Sequence, residues 1–169
     1  MTLPRLRLIR KEQRGFTLIE MLVVVTLIGL ISTGITASII QVLNINTRAS
    51  NHMIAVRQVQ QAGKEVSKDV LQARNIDNQG EALLALNWTD WEGQENVVVY
   101  TITEDGELQR SYTIDGEAQA TAPPVVAEYI DPDQTSCEWN GIVLTFEVTA
   151  TVGGQSETRV YEIEPRPGT

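Results

Sequence analysis

From Met21 to Thr47 the chain carries no charged residue. A bilayer core is about 30 Å thick and a helix rises about 1.5 Å per residue, so roughly 20 apolar residues cross it. Met21–Ile40 supplies that length. One carboxylate, Glu20, stands directly before the run, and an acid at the mouth of a membrane span is costly unless it has a task there. The flanks give the span a direction. Residues 1–15 hold Arg5, Arg7, Arg10, Lys11 and Arg14 against Glu12, a net +4, so the remaining residues carry −13 of the formal −9. By the positive-inside rule the N-terminus stays in the cytoplasm and the acidic remainder faces outward. An acidic outer part also argues against nucleic acid as a partner, because phosphates need a basic footprint.

Three kinds of segment share this outline. A secretory signal peptide has a short apolar core and a small-residue cleavage site. Thr36-Ala37-Ser38 is a candidate for such a site, but the apolar run overshoots it to Leu43. An ordinary signal anchor explains the length and the basic flank, but neither Gly15-Phe16 nor Glu20. The run Arg14-Gly15-Phe16-Thr17-Leu18-Ile19-Glu20 resembles the class III signal of the type IV pilin superfamily, over about the first 30 residues.

The resemblance implies a sequence of events. A prepilin peptidase cuts after Gly15 and methylates the new N-terminus, Phe16. Glu20 pairs with the N-terminal amine of a neighbouring subunit during assembly. Residues 1–15 are then a cleaved leader, 16–43 a transmembrane and filament-core helix, 44–75 its amphipathic continuation, and 76–169 a soluble head. The implied partners are the peptidase, other pilin or pseudopilin subunits and an inner-membrane assembly platform. Main pilins usually carry a proline in the span. Here Ala37 stands near that place, which favours a minor subunit.

The residues beyond the span agree with that plan. Small or apolar residues recur at Ile45, Ala49, Met53, Val56, Gly63, Val66 and Val70, with Gln60 as a polar break, in steps of three and four that mark a helix face. Arg48, Arg57, Lys64, Lys68 and Asp69 mark the other face, and the helix is expected to run to about Arg74. Asn75–Gly80 reads as a loop. Glu95–Thr103 and Leu108–Ile114 read as strands joined by Asp105-Gly106, with a second turn at Asp115-Gly116. Val125–Ile130, Ile142–Val152 and Ser156–Ile163 are further strands, the last two joined by Gly153-Gly154, and Pro165–Thr169 reads as a tail. The expected fold class is α+β: a long N-terminal helix packed on a C-terminal antiparallel sheet. The hairpin from Val99 to Arg110 looks like that of J-type minor pseudopilins of type II secretion and W-type minor pilins, and Arg110 is expected to brace it or to pair with a nearby acid.

No catalytic constellation is legible, and no cofactor is called for. His52 is the only histidine and Cys137 the only cysteine, so no intramolecular disulfide and no zinc site of their own can form. Cys137 reads as a buried small apolar residue. Asp131 and Asp133 are calcium candidates by their clustered oxygens, with a plain turn as the alternative. Asn87-Trp88-Thr89 fits a glycosylation sequon. Trp88, Trp91 and Trp139 read as core or subunit-contact residues. The expected function is a minor pilin or pseudopilin in a type IV pilus-like or type II secretion filament, priming assembly or sitting at the tip. The alternatives are the main filament subunit and a membrane-anchored, adhesin-like binding module.

Overall fold

A computed structural model of the chain describes residues 15–78, 80 and 82–166. The leader expected over 1–15 therefore lies outside the described residues except for Gly15, as does the end of the tail, 167–169. The chain divides into two compact units, the first ending at Ile45 and the second beginning at Asn46. One helix, α1 (Leu18–Val70), is the only regular element of the first unit among the described residues. Every described residue up to Ala49 is exposed. No glycine or proline interrupts α1 sharply: Gly29 and Gly34 lie within it, and a Cβ added at either meets nothing.

In the second unit, α1 is followed by β1 (Asn75–Asp77), β2 (Leu84–Thr89), β3 (Glu95–Ile102), β4 (Leu108–Ile114), β5 (Glu117–Ala118) and β6 (Val125–Ala127). These form an antiparallel sheet in the order β1-β2-β3-β4-β5, with β6 also on β4. After a 3-10 turn at Pro132–Gln134 come β7 (Ser136–Trp139), β8 (Leu144–Val152) and β9 (Gln155–Ile163), a second antiparallel sheet in chain order. One core joins the helix to both sheets. Ala55, Val59, Ala62, Val66 and Val70 of α1 meet Leu84, Leu86, Val98, Tyr100 and Leu108 of the first sheet and Leu144, Phe146, Val148 and Ala150 of the second. The fold class is thus α+β, a long helix packed on antiparallel sheets, as the sequence leads one to expect.

Several expectations need correction. The buried face of α1 is Ala55, Val59, Ala62, Gly63, Val66, Asp69 and Val70. The stripe read from the sequence shares Gly63, Val66 and Val70 with it, but Met53 is 57% and Ile45 59% exposed. Asp69, assigned by its charge to the solvent face, is buried. One residue turns a helix by about 100°, so two stripes one position apart are nearly equal in periodicity. The sheet chooses between them, and here it carries partners for a carboxylate. The expected single sheet is two. Asn75–Asp77 is a strand rather than a loop, paired with Asn87–Ala85 of β2. The strands β2 and β7 carry the weak strand formers Leu, Ala, Ser and Glu beside their tryptophans, so their composition hides them.

A tight turn and a close approach fix β9 and its hairpin. Gly153 (φ 53°) and Gly154 (φ 75°) form the β8–β9 turn, a pair of positive φ values that matches the twist of the strands. Farther along β9, Tyr161 lies on the helix at Gly63 and its hydroxyl donates to the Val59 carbonyl at 3.1 Å. A Cβ at residue 63 would stand 2.1 Å from Tyr161 Cζ. Gly63→Ala is therefore expected to cost about 1–3 kcal/mol through forced displacement of the ring. Adding Tyr161→Ala is expected to make the double variant less destabilised than the sum of the singles, as read from urea unfolding followed by tryptophan fluorescence. Strict additivity would show that the ring is not what excludes the side chain.

Candidate functional site

The candidate site is the start of α1. Gly15, Phe16 and Thr17 precede the helix, and α1 begins at Leu18. Thr17 caps it: its carbonyl accepts from the Glu20 amide at 3.1 Å and the Met21 amide at 3.2 Å, and its hydroxyl accepts from the Glu20 amide at 3.3 Å. Glu20 thus falls at the third helical position, where the positive end of the helix dipole favours a carboxylate. Thr17-Leu18-Ile19-Glu20 has the spacing of a capping box. The T-x-x-E spacing is the local signal in the sequence for this cap. The cap and the assembly role expected for Glu20 are compatible, because the cap uses the backbone of Glu20 and its side chain is exposed.

The span that follows is fully exposed in the chain by itself, and none of its most apolar window is buried. So large an apolar surface marks an interaction with lipid or with other subunits. Four of its hydroxyls find a partner within the helix. Thr26 donates to the Val23 carbonyl at 2.8 Å, Thr33 to Gly29 at 2.8 Å, Thr36 to Ser32 at 2.9 Å and Ser38 to Gly34 at 2.9 Å. These four hydroxyls are satisfied by their own helix, which is what a segment without water demands.

In the second unit the most demanding polar cluster joins α1 to the β3–β4 hairpin. Asp69 is 2% exposed. Arg110 of β4 grips it with two bonds, Nε to Oδ2 at 2.7 Å and Nη2 to Oδ1 at 3.1 Å. The Tyr100 hydroxyl of β3 donates to Oδ2 at 2.6 Å. The bond to Asp69 holds the Arg110 guanidinium above its usual range. Burial, and then the bond to the Asp69 carboxylate, push the Tyr100 phenol well above the ordinary phenol range. Of the two roles expected for Arg110, the pairing with an acid is the one seen, and the acid belongs to the helix. Arg110 also lies over the Tyr112 ring, 5.1 Å from its centre, and Tyr112 stacks on Trp88.

The other singled-out residues stay apart from one another. Asp131 uses both carboxylate oxygens within its turn, accepting from the Asp133 amide at 3.0 Å and from Gln134 Nε2 at 2.8 Å. Among the described residues, no three His, Cys, Asp or Glu side chains are grouped to hold a metal. His52 is exposed on α1. Trp88 and Trp139 pack against the core, whereas Trp91 is 90% exposed. Cys137 is a free, half-buried thiol on β7, and burial pushes it up to about 12.

Two outcomes follow from this geometry. Arg110→Ala strands a buried carboxylate and is expected to cost about 3 kcal/mol, near the lower end for a broken buried pair because Arg110 is itself 21% exposed. Replacing the pair together, Asp69→Leu with Arg110→Met, is expected to cost less than Arg110→Ala alone. A double variant as unstable as the summed singles in urea would mean that the charges are not coupled. The raised Cys137 thiol makes the second outcome a matter of pH. Its folded value lies above the unfolded one, so it favours the fold fully below about pH 8.5, and that contribution is lost as pH rises toward 12. At pH 8, alkylation of Cys137 in the folded chain is expected to be at least about tenfold slower than in urea; equal rates would show the thiol to be open.

Residues 10–36, which include the cap, Glu20 and the first part of the span, match the family model of the prokaryotic N-terminal methylation motif. No curated protein and no solved structure matches the chain. A family of this kind is structural, its members being processed by prepilin peptidase and assembled with other pilins. The chain carries the class III signal of the type IV pilin superfamily, at the head of a long helix packed on antiparallel sheets as in pilins.

Proposed function

We propose that this chain is a minor pilin or pseudopilin, a structural rather than catalytic subunit of a type IV pilus-like or type II secretion filament. The observation that carries the reading is a charge-free, wholly exposed helical span that opens on Gly15-Phe16 and a capped Glu20, inside the matched methylation motif. Prepilin peptidase removes residues 1–15 and methylates Phe16. The N-terminus faces the cytoplasm and the acidic head lies outside the inner membrane until the subunit enters the filament. Residues 16–43 form the anchor and filament core, 44–75 its amphipathic continuation, and 76–169 the head. The minor role is supported by the unbroken helix through Ala37, where main pilins usually have a proline.

In this reading the Phe16 amine of one subunit meets Glu20 of another. At about 4 Å and an effective dielectric near 20, the attraction is about 4 kcal/mol before desolvation is subtracted. That is enough to set register between two helices that otherwise offer each other only apolar surface. Glu20→Ala is expected to leave membrane insertion intact, because the span itself is unchanged, and to lower recovery in sheared filaments several-fold. Equal recovery of variant and parent would remove Glu20 from assembly. Intact mass of the membrane-bound protein is expected to give a chain beginning at N-methylated Phe16; a chain retaining Met1–Gly15, or starting near Ser38, would overturn the reading.

A further inference from the structure

Two surface features lie beyond the anchor, and they complement each other. The first is the β2–β3 loop. Asp90 ties it down: its Oδ1 accepts from the Glu92 and Gln94 amides at 2.9 Å each, its Oδ2 from Asn96 Nδ2 at 3.3 Å, and its carbonyl from the Gly93 amide at 3.2 Å. These bonds hold the Asp90 carboxyl below its usual range, the Gln94 amide first among them. The loop is built to one shape, yet the side chain at its tip, Trp91, is 90% exposed. A large aromatic on a preorganised tip, flanked by Asp90 and Glu92, loses little freedom on binding and is the kind of anchor that dominates protein contacts.

The second feature is a cavity of about 260 Å³ where α1 ends, lined among others by Arg74, Trp139, Ile142, Glu164, Pro165 and Arg166. Its apolar part is open: Ile142 is 68% exposed. Its charge is unusual for this head. After α1 the chain holds four arginines and no lysine, against eighteen acids. Arg110 is bound to Asp69 and Arg159 to Glu157. The other two, Arg74 and Arg166, both line this cavity, with Glu164 as the one acid among them. Trp91 is not among the lining residues, so the chain does not fill the cavity with its own tip.

We propose that the Asp90-Trp91-Glu92 tip of one copy docks in the Arg74–Trp139–Arg166 cavity of a second copy. The indole enters beside Trp139 and Ile142, where an offset aromatic pair forms. Arg74 and Arg166 then face the acidic flanks of the tip, and either guanidinium can lie over the indole face. This goes beyond the filament reading. It concerns heads meeting in the membrane before assembly, so it stands or falls separately from processing at Gly15.

The test uses the full-length chain in the inner membrane of a bacterial host, with Trp91 replaced by the photo-crosslinking residue p-benzoylphenylalanine. The position is exposed, so the fold tolerates the replacement. The expected result is an adduct of twice the chain mass whose crosslink maps to the segments around Trp139–Ile142 or Pro165. Reversing the rim with Arg74→Glu and Arg166→Glu is expected to lower its yield roughly fivefold or more, as two surface pairs turn repulsive. Glu92→Lys in that background is expected to restore part of it. An adduct only to other proteins, only within one chain, only to segments elsewhere in the second copy, or none at all, would overturn the proposal. So would a yield indifferent to the rim charges. N-terminal processing, scored in the same samples, separates a failure of this contact from a failure of the filament reading.

Discussion

Everything in this molecule answers to one constraint: the first half of α1 has an apolar surface on all sides, and every one of its residues is exposed. Its backbone is closed by helical hydrogen bonds, its first turn by Thr17, and the hydroxyls of Thr26, Thr33, Thr36 and Ser38 by carbonyls one turn back. What remains is side-chain surface, which water cannot cover at low free energy. Lipid can cover it, and so can identical or related helices. A segment that suits both environments is what a subunit needs if it waits in a membrane and then leaves it for a filament. Glu20 is the exception in that surface, and its place in the first turn puts it at the boundary where charge is tolerable.

The second half of the same helix obeys different physics. It has a partner in the chain, and small residues let that partner come close: Ala55, Ala62 and Gly63 lie under the sheets, with Tyr161 across Gly63. The Asp69–Tyr100–Arg110 cluster adds direction to this packing. An apolar face can slide or rotate by a fraction of a turn at little cost, but a buried carboxylate must find its donors. Two strands of one hairpin supply them, which holds the helix in a single rotation against β3 and β4. The aromatic face from Trp88 through Tyr112 to Arg110 continues the same contact along the sheet.

After α1 the chain carries eighteen acids against four arginines, so the two arginines that line the cavity, Arg74 and Arg166, are conspicuous. So is Trp91, because the effort of fixing a loop with an aspartate is usually matched by something worth presenting. The tip belongs to surface chemistry rather than to folding, whereas the cavity has a floor shared with the core, through Ala73, Ile76 and Trp139, and an exposed rim of charge. The sequence groups Trp91 with Trp88 and Trp139; burial separates them, since Trp88 and Trp139 pack against the core and Trp91 does not.

The features legible in the sequence are those built from near neighbours. The charge-free run, the Gly15-Phe16 junction, Glu20 and the turns at Asp105-Gly106, Asp115-Gly116 and Gly153-Gly154 depend on residues within one span or one hairpin, so composition and spacing reveal them. The α+β class follows from the same local signals. Other features depend on contacts between distant residues. Arg110 lies 41 positions from Asp69, and Tyr161 102 from Val59. Only the tertiary structure decides which helix stripe is buried, that Asp69 is inside, and that the strands part into two sheets. The reason is that near-equal helix stripes and weak strands carry almost no local preference, and the partner that breaks the tie is supplied by the fold.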